Sequence, residues 1–283
     1  MPPFSKILVP VDFSECSLNA LRVAIHIGKR TGGKLTILNS FNDPIVYGGS
    51  SIGTSAGFLI ESKEEIKKEF EALGHLMPEL DEVAHEFILS PYGVEEAIHW
   101  HISSHKHDLV VMGTHGASGL KQALFGSHTY SVVQNVQVPL LAIPESTPAD
   151  FNLEKVMLAI DLHEEASEAI YEPLKAFVEM YNASLDMLHV SKDPYLGSEK
   201  TDAAWQLENY FKETDHSFHF RFEEPLEDAL LNYIDEKQID LMAVVKRKRS
   251  LLEGLFHKSL TRKLSFHSHT PLLILHDAEK KND

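Results

Sequence analysis

The chain has 283 residues, 43% hydrophobic and 24% charged, which suits a globular protein with room for two ordinary domains. Asp and Glu number 42 against 26 Lys and Arg, a formal net charge of −16, which opposes non-specific binding to nucleic acid or anionic membrane. It does not oppose a small anionic ligand held by backbone N–H groups at a helix N-terminus.

No apolar run reaches the roughly 18 residues of a spanning helix, and the opening MPPFSKILVPVD lacks a signal-peptide layout. The one cysteine, Cys16, rules out an internal disulfide and fits a reducing compartment, so a cytoplasmic location is expected.

In chain order, residues 5–11, 34–40, 83–89, 108–112 and 139–143 are predicted strands. Helices are predicted over 15–31, 61–77, 93–105 and 127–136. The first helix has an N-cap in Ser14, a stop at Gly32-Gly33, and apolar residues Leu18, Leu21, Ala24 and Ile25 at helical spacing. Strands such as KILVPV and DLVVMG are almost continuously apolar, as parallel strands buried on both faces are. Strand–helix alternation then implies a doubly wound α/β sheet.

The plan is written twice. KILVPVD (6–12) returns as KVMLAID (155–161), so that Asp12 corresponds to Asp161. DLVVMG (108–113) returns as DLMAVV (240–245), and VPLLAIP (138–144) as TPLLILH (270–276), at a constant offset of 132 residues. Predicted strands of the second copy cover 155–160, 184–190, 216–222, 240–245 and 271–275, with helices over 164–182, 199–213, 225–237 and 259–267. The linker PESTPADFN separates domains expected at 1–146 and 151–283. The fold class is therefore α/β, two tandem doubly wound domains, each with a five-stranded parallel sheet. The final strands are expected to pair the copies as a pseudo-dimer within one chain, with a homodimer as the alternative. The segment 42–62, rich in Gly and Ser, reads either as a surface loop or as a lid over the strand ends.

The first copy's fourth strand runs into MGTHGASGLKQALFGS, Met112 to Ser127. It is not a Walker A loop: of the two Gly-Lys pairs, Gly28-Lys29 is followed by Arg30 within a predicted helix, and Gly33-Lys34 is followed by Leu35 and precedes a strand. Nor is it a G-x-G-x-x-G fingerprint, for it reads Gly113-x-x-Gly116-x-x-Gly119 and follows the wrong strand. The spacing that stands out is Gly113-x2-Gly116-x9-Gly126-Ser127. Glycines at a strand end let a ligand approach the backbone, and Gly126-Ser127 opens a helix whose free N–H groups favour phosphate.

That spacing, with VPVD ending the first strand and VPLLAIP the last, resembles the universal stress protein family over essentially the whole chain. The resemblance implies an adenine nucleotide alpha hydrolase-like fold and a site for ATP or another adenine nucleotide, with Mg²⁺. It implies that Val11 and Asp12 sit by the adenine, with Asn39 and Ser40 completing that pocket. Gly113 would lie near the ribose, and Gly116, Gly126, Ser127 and the backbone of His128 near the phosphates, with Met112 and His115 belonging to the same site. Asn39 departs from the family pattern, where His is frequent.

In the second copy Gly113 becomes Val245, Gly116 becomes Lys248 and Gly126 becomes Lys258, while Ser127 persists as Ser259. Family-type ATP binding is expected to be lost there. Its cations, Lys246–Arg249 and Lys258, read either as a solvated loop or as a different anion site. His101 and His105 at i, i+4 raise a metal reading, but no HExxH pattern or Cys accompanies them. G-x-S-x-G occurs at Gly49–Gly53 and Gly53–Gly57, but neither directly follows a predicted strand as a nucleophile elbow must, and no kinase signature or paired carboxylates indicate a catalyst. The expected role is a stress-response switch that answers to nucleotide and meets a protein partner; a nucleotide-independent scaffold and a slow ATPase are the alternatives.

Overall fold

The computed structural model describes residues 3–41, 55–115, 126–162, 167–191, 195, 197–222, 225–246 and 269–276, with backbone only for 55–62. The first copy contributes β1 (Lys6–Pro10), α1 (Glu15–Thr31), β2 (Lys34–Ser40), α2 (Ser55–Leu76), β3 (His85–Ser90), α3 (Val94–His105), β4 (Leu109–Gly113), α4 (Ser127–Asn135) and β5 (Leu140–Ile143). The second contributes β6 (Lys155–Ile160), α5 (Glu172–Tyr181), β7 (Ser184–Ser191), α6 (Ser198–Phe211), β8 (His216–Phe222), α7 (Leu226–Lys237), β9 (Leu241–Lys246) and β10 (Leu272–His276).

Within each copy the five strands are parallel, in the order β3-β2-β1-β4-β5 and its counterpart β8-β7-β6-β9-β10. The repeat is preserved in the register: Ile7 lies opposite Leu109 as Val156 lies opposite Leu241. β5 and β10 then pair antiparallel, Leu141 opposite Leu273, and fuse both copies into one ten-stranded sheet. The expected intramolecular pairing of the final strands is thus what joins the halves.

Strand side chains alternate between the two faces, so each strand feeds two cores. Ile7, Val9, Leu109 and Val111 pack with α1 and α2 residues, in a cluster that continues into Leu174, Phe177 and Phe211 of the second copy. Leu8, Val110 and Met112 pack with Ala97, Ile98, Val132 and Val133 of α3 and α4. Between the copies Phe4 meets Phe177 at 4.6 Å and Arg30 covers the Tyr181 ring at 4.3 Å. Asn19 of α1 donates to the carbonyls of Pro144, Glu145 and Thr147, and Thr147 donates to His269, which ties the linker to both copies.

The first helix ends as its sequence predicts. Gly32 adopts the left-handed conformation (φ 69°) and returns its N–H to Gly28; Asn182 (φ 51°) does the same work after α5. Two helices differ from expectation. The predicted helix 164–182 is α-helical only from Glu172, after a 3₁₀ turn at Glu168–Tyr171. Pro173 explains this, since proline is accommodated in a first turn and not in a helix interior. Conversely α2 begins at Ser55, so that 55–62 is helix rather than the tail of a loop or lid. Gly57 argued for a loop, but propensity is a weak prior against the periodicity that continues through Ile66, Phe70 and Leu73. The rest of that loop, and the second copy's predicted last helix, lie outside the described residues.

The residue that opens β4 and its counterpart before β9 serve the same purpose. Asp108 accepts hydrogen bonds from Ser5 N, Ser5 Oγ and Lys6 N (2.8, 2.8 and 2.9 Å), and Asp240 accepts from Glu154 N and Lys155 N. Each clamps the start of its copy's central strand. Asp108→Ala is expected to cost about 1–2 kcal/mol of stability by urea denaturation, because charge-assisted bonds to backbone N–H groups are lost.

Candidate functional site

The chain leaves β1 for β2 and β3 on one side of the sheet, then crosses to β4 on the other. The crevice between the carboxyl ends of β1 and β4 is therefore a topological switch point, where open α/β sheets accept ligands. Val11 and Asp12 follow β1, Met112 and Gly113 end β4, and Asn39 and Ser40 end the neighbouring β2.

Past β1 the backbone turns into α1. The Asp12 carboxylate accepts from Ser14 N (3.1 Å) and Ser14 Oγ (2.6 Å), and Ser14 in turn caps the helix by accepting from Ser17 N. Asp12 is exposed, and its backbone N–H donates to Ser17 Oγ. Between them Phe13 holds φ 61°, a strained conformation for a bulky residue. Its ring packs on Phe70 and borders an open groove of about 400 Å³ formed with Leu18, Ala72, Leu73 and Leu76 and with the polar Glu69 and His75.

Asn39 is buried and donates from Nδ2 to Val11 O at 2.8 Å. Its Oδ1 has no hydrogen-bond partner among the described residues, a buried acceptor that costs free energy unless something donates to it. The second copy repeats the contact with His189, whose Nδ1 donates to Ile160 O at 3.1 Å. Carried forward without a gap from Lys6 and Lys155, the repeat sets His189 against Ser40; the strand register sets it against Asn39. Ser40 donates to Tyr92 O and joins β2 to the turn after β3.

On the β4 side, Thr114 N donates to Ile143 O, Gly126 N donates to Thr114 O (2.7 Å), and Thr129 Oγ1 donates to Gly113 O (3.0 Å). Those bonds fasten the first turn of α4 to the end of β4. Gly126 is the N-cap and offers no side-chain bond to the first N–H groups. Ser127 and His128 are exposed beside it, His128 pairing with Glu95 at 2.9 Å. His115 Nδ1 lies 3.0 Å from Thr114 Oγ1. Gly116 lies outside the described residues.

Gly113 also has a packing role. A Cβ there would lie 3.0 Å from Cys16 C, O and Sγ, so the missing side chain makes room for the first turn of α1. Gly113 projects to the α1 face with Val111, as its counterpart Val245 projects with Ala243. The second copy carries a valine there, and its α-helix begins late, at Glu172.

Lys246, one of the cations read as a solvated loop or a different anion site, reaches the other copy. Its Nζ donates to Val133 O (2.9 Å) and Gln134 O (2.7 Å), in the last turn of α4. Lys248, Lys258 and Ser259 lie outside the described residues.

The histidines of α3 form a stack instead of a ligand set. His101 lies 5.0 Å from His105 and 6.0 Å from His107, ring to ring, and among the described residues no three His, Cys, Asp or Glu side chains are disposed to hold a metal. Burial, then the neighbouring imidazoles, lowers the His101 pKa; burial likewise lowers that of His107, chiefly against its bond to His101 O. His276 is pushed to about 4 by burial and by Lys246. At these three groups the folded state binds fewer protons than the unfolded one, so their contribution to stability is complete above the ordinary value of 6.5 and declines as pH falls below it, against an opposite contribution from His216, whose pKa the Thr214 carbonyl and Glu208 raise against burial. Urea midpoints between pH 7 and 5 should fall, and His101→Phe should reduce the slope.

No helix among the described residues is long and apolar enough to cross a membrane. The model of the universal stress protein family matches the chain twice, at residues 3–144 and 152–276. A curated relative, universal stress protein YxiE of Bacillus subtilis, is 30% identical over 148 residues, covering 50% of this chain and 99% of its own. A universal stress protein from Archaeoglobus fulgidus superposes with a TM-score of 0.71 at 19% identity, covering 97% of this chain and 99% of its own. The cytoplasmic domain of a prokaryotic cation chloride cotransporter also superposes, with a TM-score of 0.54 at 11% identity over 98% and 97% of the two chains; that likeness is one of fold alone. With both halves matched by the family model and joined in one sheet, the chain belongs to the universal stress protein family, as a tandem of two of its domains.

Proposed function

We propose that the first copy binds ATP, or another adenine nucleotide, with Mg²⁺, and that the protein acts as a nucleotide-responsive module in a stress response. The observation that carries this reading is the switch-point crevice itself. One wall ends in a buried acceptor, Asn39 Oδ1, that has no donor among the described residues, and the other in a helix whose N-cap is a glycine. Both features suit a nucleotide: a base or sugar donor satisfies the first, and phosphate satisfies the N–H groups and dipole of the second. Val11, Asp12, Asn39 and Ser40 would hold the base, Met112 and Gly113 the ribose, and His115, Gly116, Gly126, Ser127 and His128 the phosphates. Mg²⁺ would arrive with the phosphates, which neutralises charge beside an acidic chain. The second copy keeps a polar group at the base end, His189, but replaces the phosphate-side glycines.

Released ligand from the purified protein, identified by mass spectrometry, tests the reading. A stoichiometric adenine nucleotide is expected, and Gly126→Val should weaken ATP binding at least about tenfold by calorimetry with little change in thermal midpoint. If neither the native protein nor added ATP with Mg²⁺ shows binding, the role is that of a nucleotide-independent scaffold.

A further inference from the structure

Lys246 ends β9, where the second copy's altered loop begins, yet its Nζ donates to two carbonyls of the first copy. α4 is a nine-residue helix, short enough that its order depends on what holds its ends. At its N-terminus, Gly126 N and Thr129 Oγ1 tie it to β4. At its C-terminus the carbonyls need partners as well. Val136 N–H returns to Val132 O, and the next two carbonyls, Val133 and Gln134, both accept from Lys246 Nζ. The ammonium thus stands where the negative end of the helix dipole favours a cation.

β9 holds Lys246 rigidly in place. It ends that strand opposite His276 of β10, one strand away from the seam, and Leu272–Ile274 of β10 pair with β5. His276 stays neutral to about 4, so Lys246 faces no second cation there near neutral pH. The first copy's counterpart of Lys246 is Thr114, which bonds within its own copy to Ile143 and Gly126. The cross-copy bond is therefore a feature of the second copy's divergence.

From this geometry we infer that Lys246 is a positioning residue for the first copy's phosphate site: by closing the C-terminus of α4 it keeps the helix N-terminus ordered for an anion. This rests on the nucleotide reading given above. The second copy, unable to bind in the family manner, completes the site of the first. By linkage, phosphate bound at one end of α4 strengthens the Lys246 clasp at the other, so that nucleotide binding tightens the joint between the copies.

The test is calorimetry of the full chain with ATP·Mg²⁺ and with adenosine, for wild type, Lys246→Met, and Lys246→Gln, which keeps a donor but no charge. For Lys246→Met the ATP Kd should rise about three- to tenfold, while the adenosine Kd stays within about twofold, since only the phosphates use α4. Lys246→Gln should fall between, and it serves if the methionine variant does not fold. An unchanged ATP Kd overturns the inference, and so does an equal loss for ATP and adenosine, which marks general destabilisation. Absence of ATP binding by the wild type overturns the nucleotide reading, and the inference with it.

Discussion

Gly113→Val is expected to destabilise the protein by about 1–3 kcal/mol and to abolish nucleotide binding, although valine stands at the equivalent place in the second copy. Two of the three atoms a Cβ would meet at 3.0 Å are backbone atoms of Cys16, which cannot swing aside as a side chain end can. The first turn of α1 has to shift instead. That turn carries Ser14 and Ser17, which hold the Asp12 carboxylate and the Asp12 N–H. Overpacking on β4 is thereby transmitted to the far wall of the crevice. Urea denaturation and ATP calorimetry on the same preparation read both effects. A variant as stable as wild type and still binding ATP would show that Gly113 is not the contact between helix and strand described above.

A larger loss is expected from Leu141→Asp. Leu141 faces Leu273 across the antiparallel seam, and both side chains are fully buried. An unpaired carboxylate there has no cation or donor, so a cost of about 3–5 kcal/mol is expected, read as a fall in the urea midpoint. Because β5 is an interior strand of one continuous sheet, both copies should lose stability together. If near-UV signals from Trp100 in the first copy and Trp205 in the second unfold independently in wild type, the copies are not one cooperative unit. In that case the variant should affect only the strands at the seam.

The strands were legible because they are buried on both faces and so written as continuous apolar runs. The repeat made them surer: Asp108 and Asp240, 132 residues apart, perform the same clamp. The helix caps at Ser14 and Gly32 were legible because capping is local. Pro173 is an equally local signal, for it marks the first turn of the helix that starts at Glu172. What could not be read was anything decided by residues distant in sequence. Gly113 marks close approach in the sequence, but that α1 is a group approaching it is fixed by where that helix packs. Lys246 looked like a cation near a helix start because its own copy was the only frame available; its partners Val133 and Gln134 lie 113 and 112 residues away, in the other copy. The equivalence of Asn39 and His189 likewise emerged only from strand register, since a one-residue difference before the second strand hides it in alignment.

The candidate site shows the same division. Its motif spacing was visible, and its placement at a switch point follows from a strand order that α/β patterns commonly adopt. The orphaned Oδ1 of Asn39 was not visible, because whether a polar atom is satisfied depends on every neighbour around it.

The most direct measurement of the central claim is the stoichiometry of ATP·Mg²⁺ binding to the full chain by calorimetry. One nucleotide per chain, lost in Gly126→Val, is the result expected of a tandem protein whose first copy holds the nucleotide and whose second supports it. Two per chain would mean that the second copy binds despite its replaced glycines. None would mean that the crevice between β1 and β4 serves something other than a nucleotide.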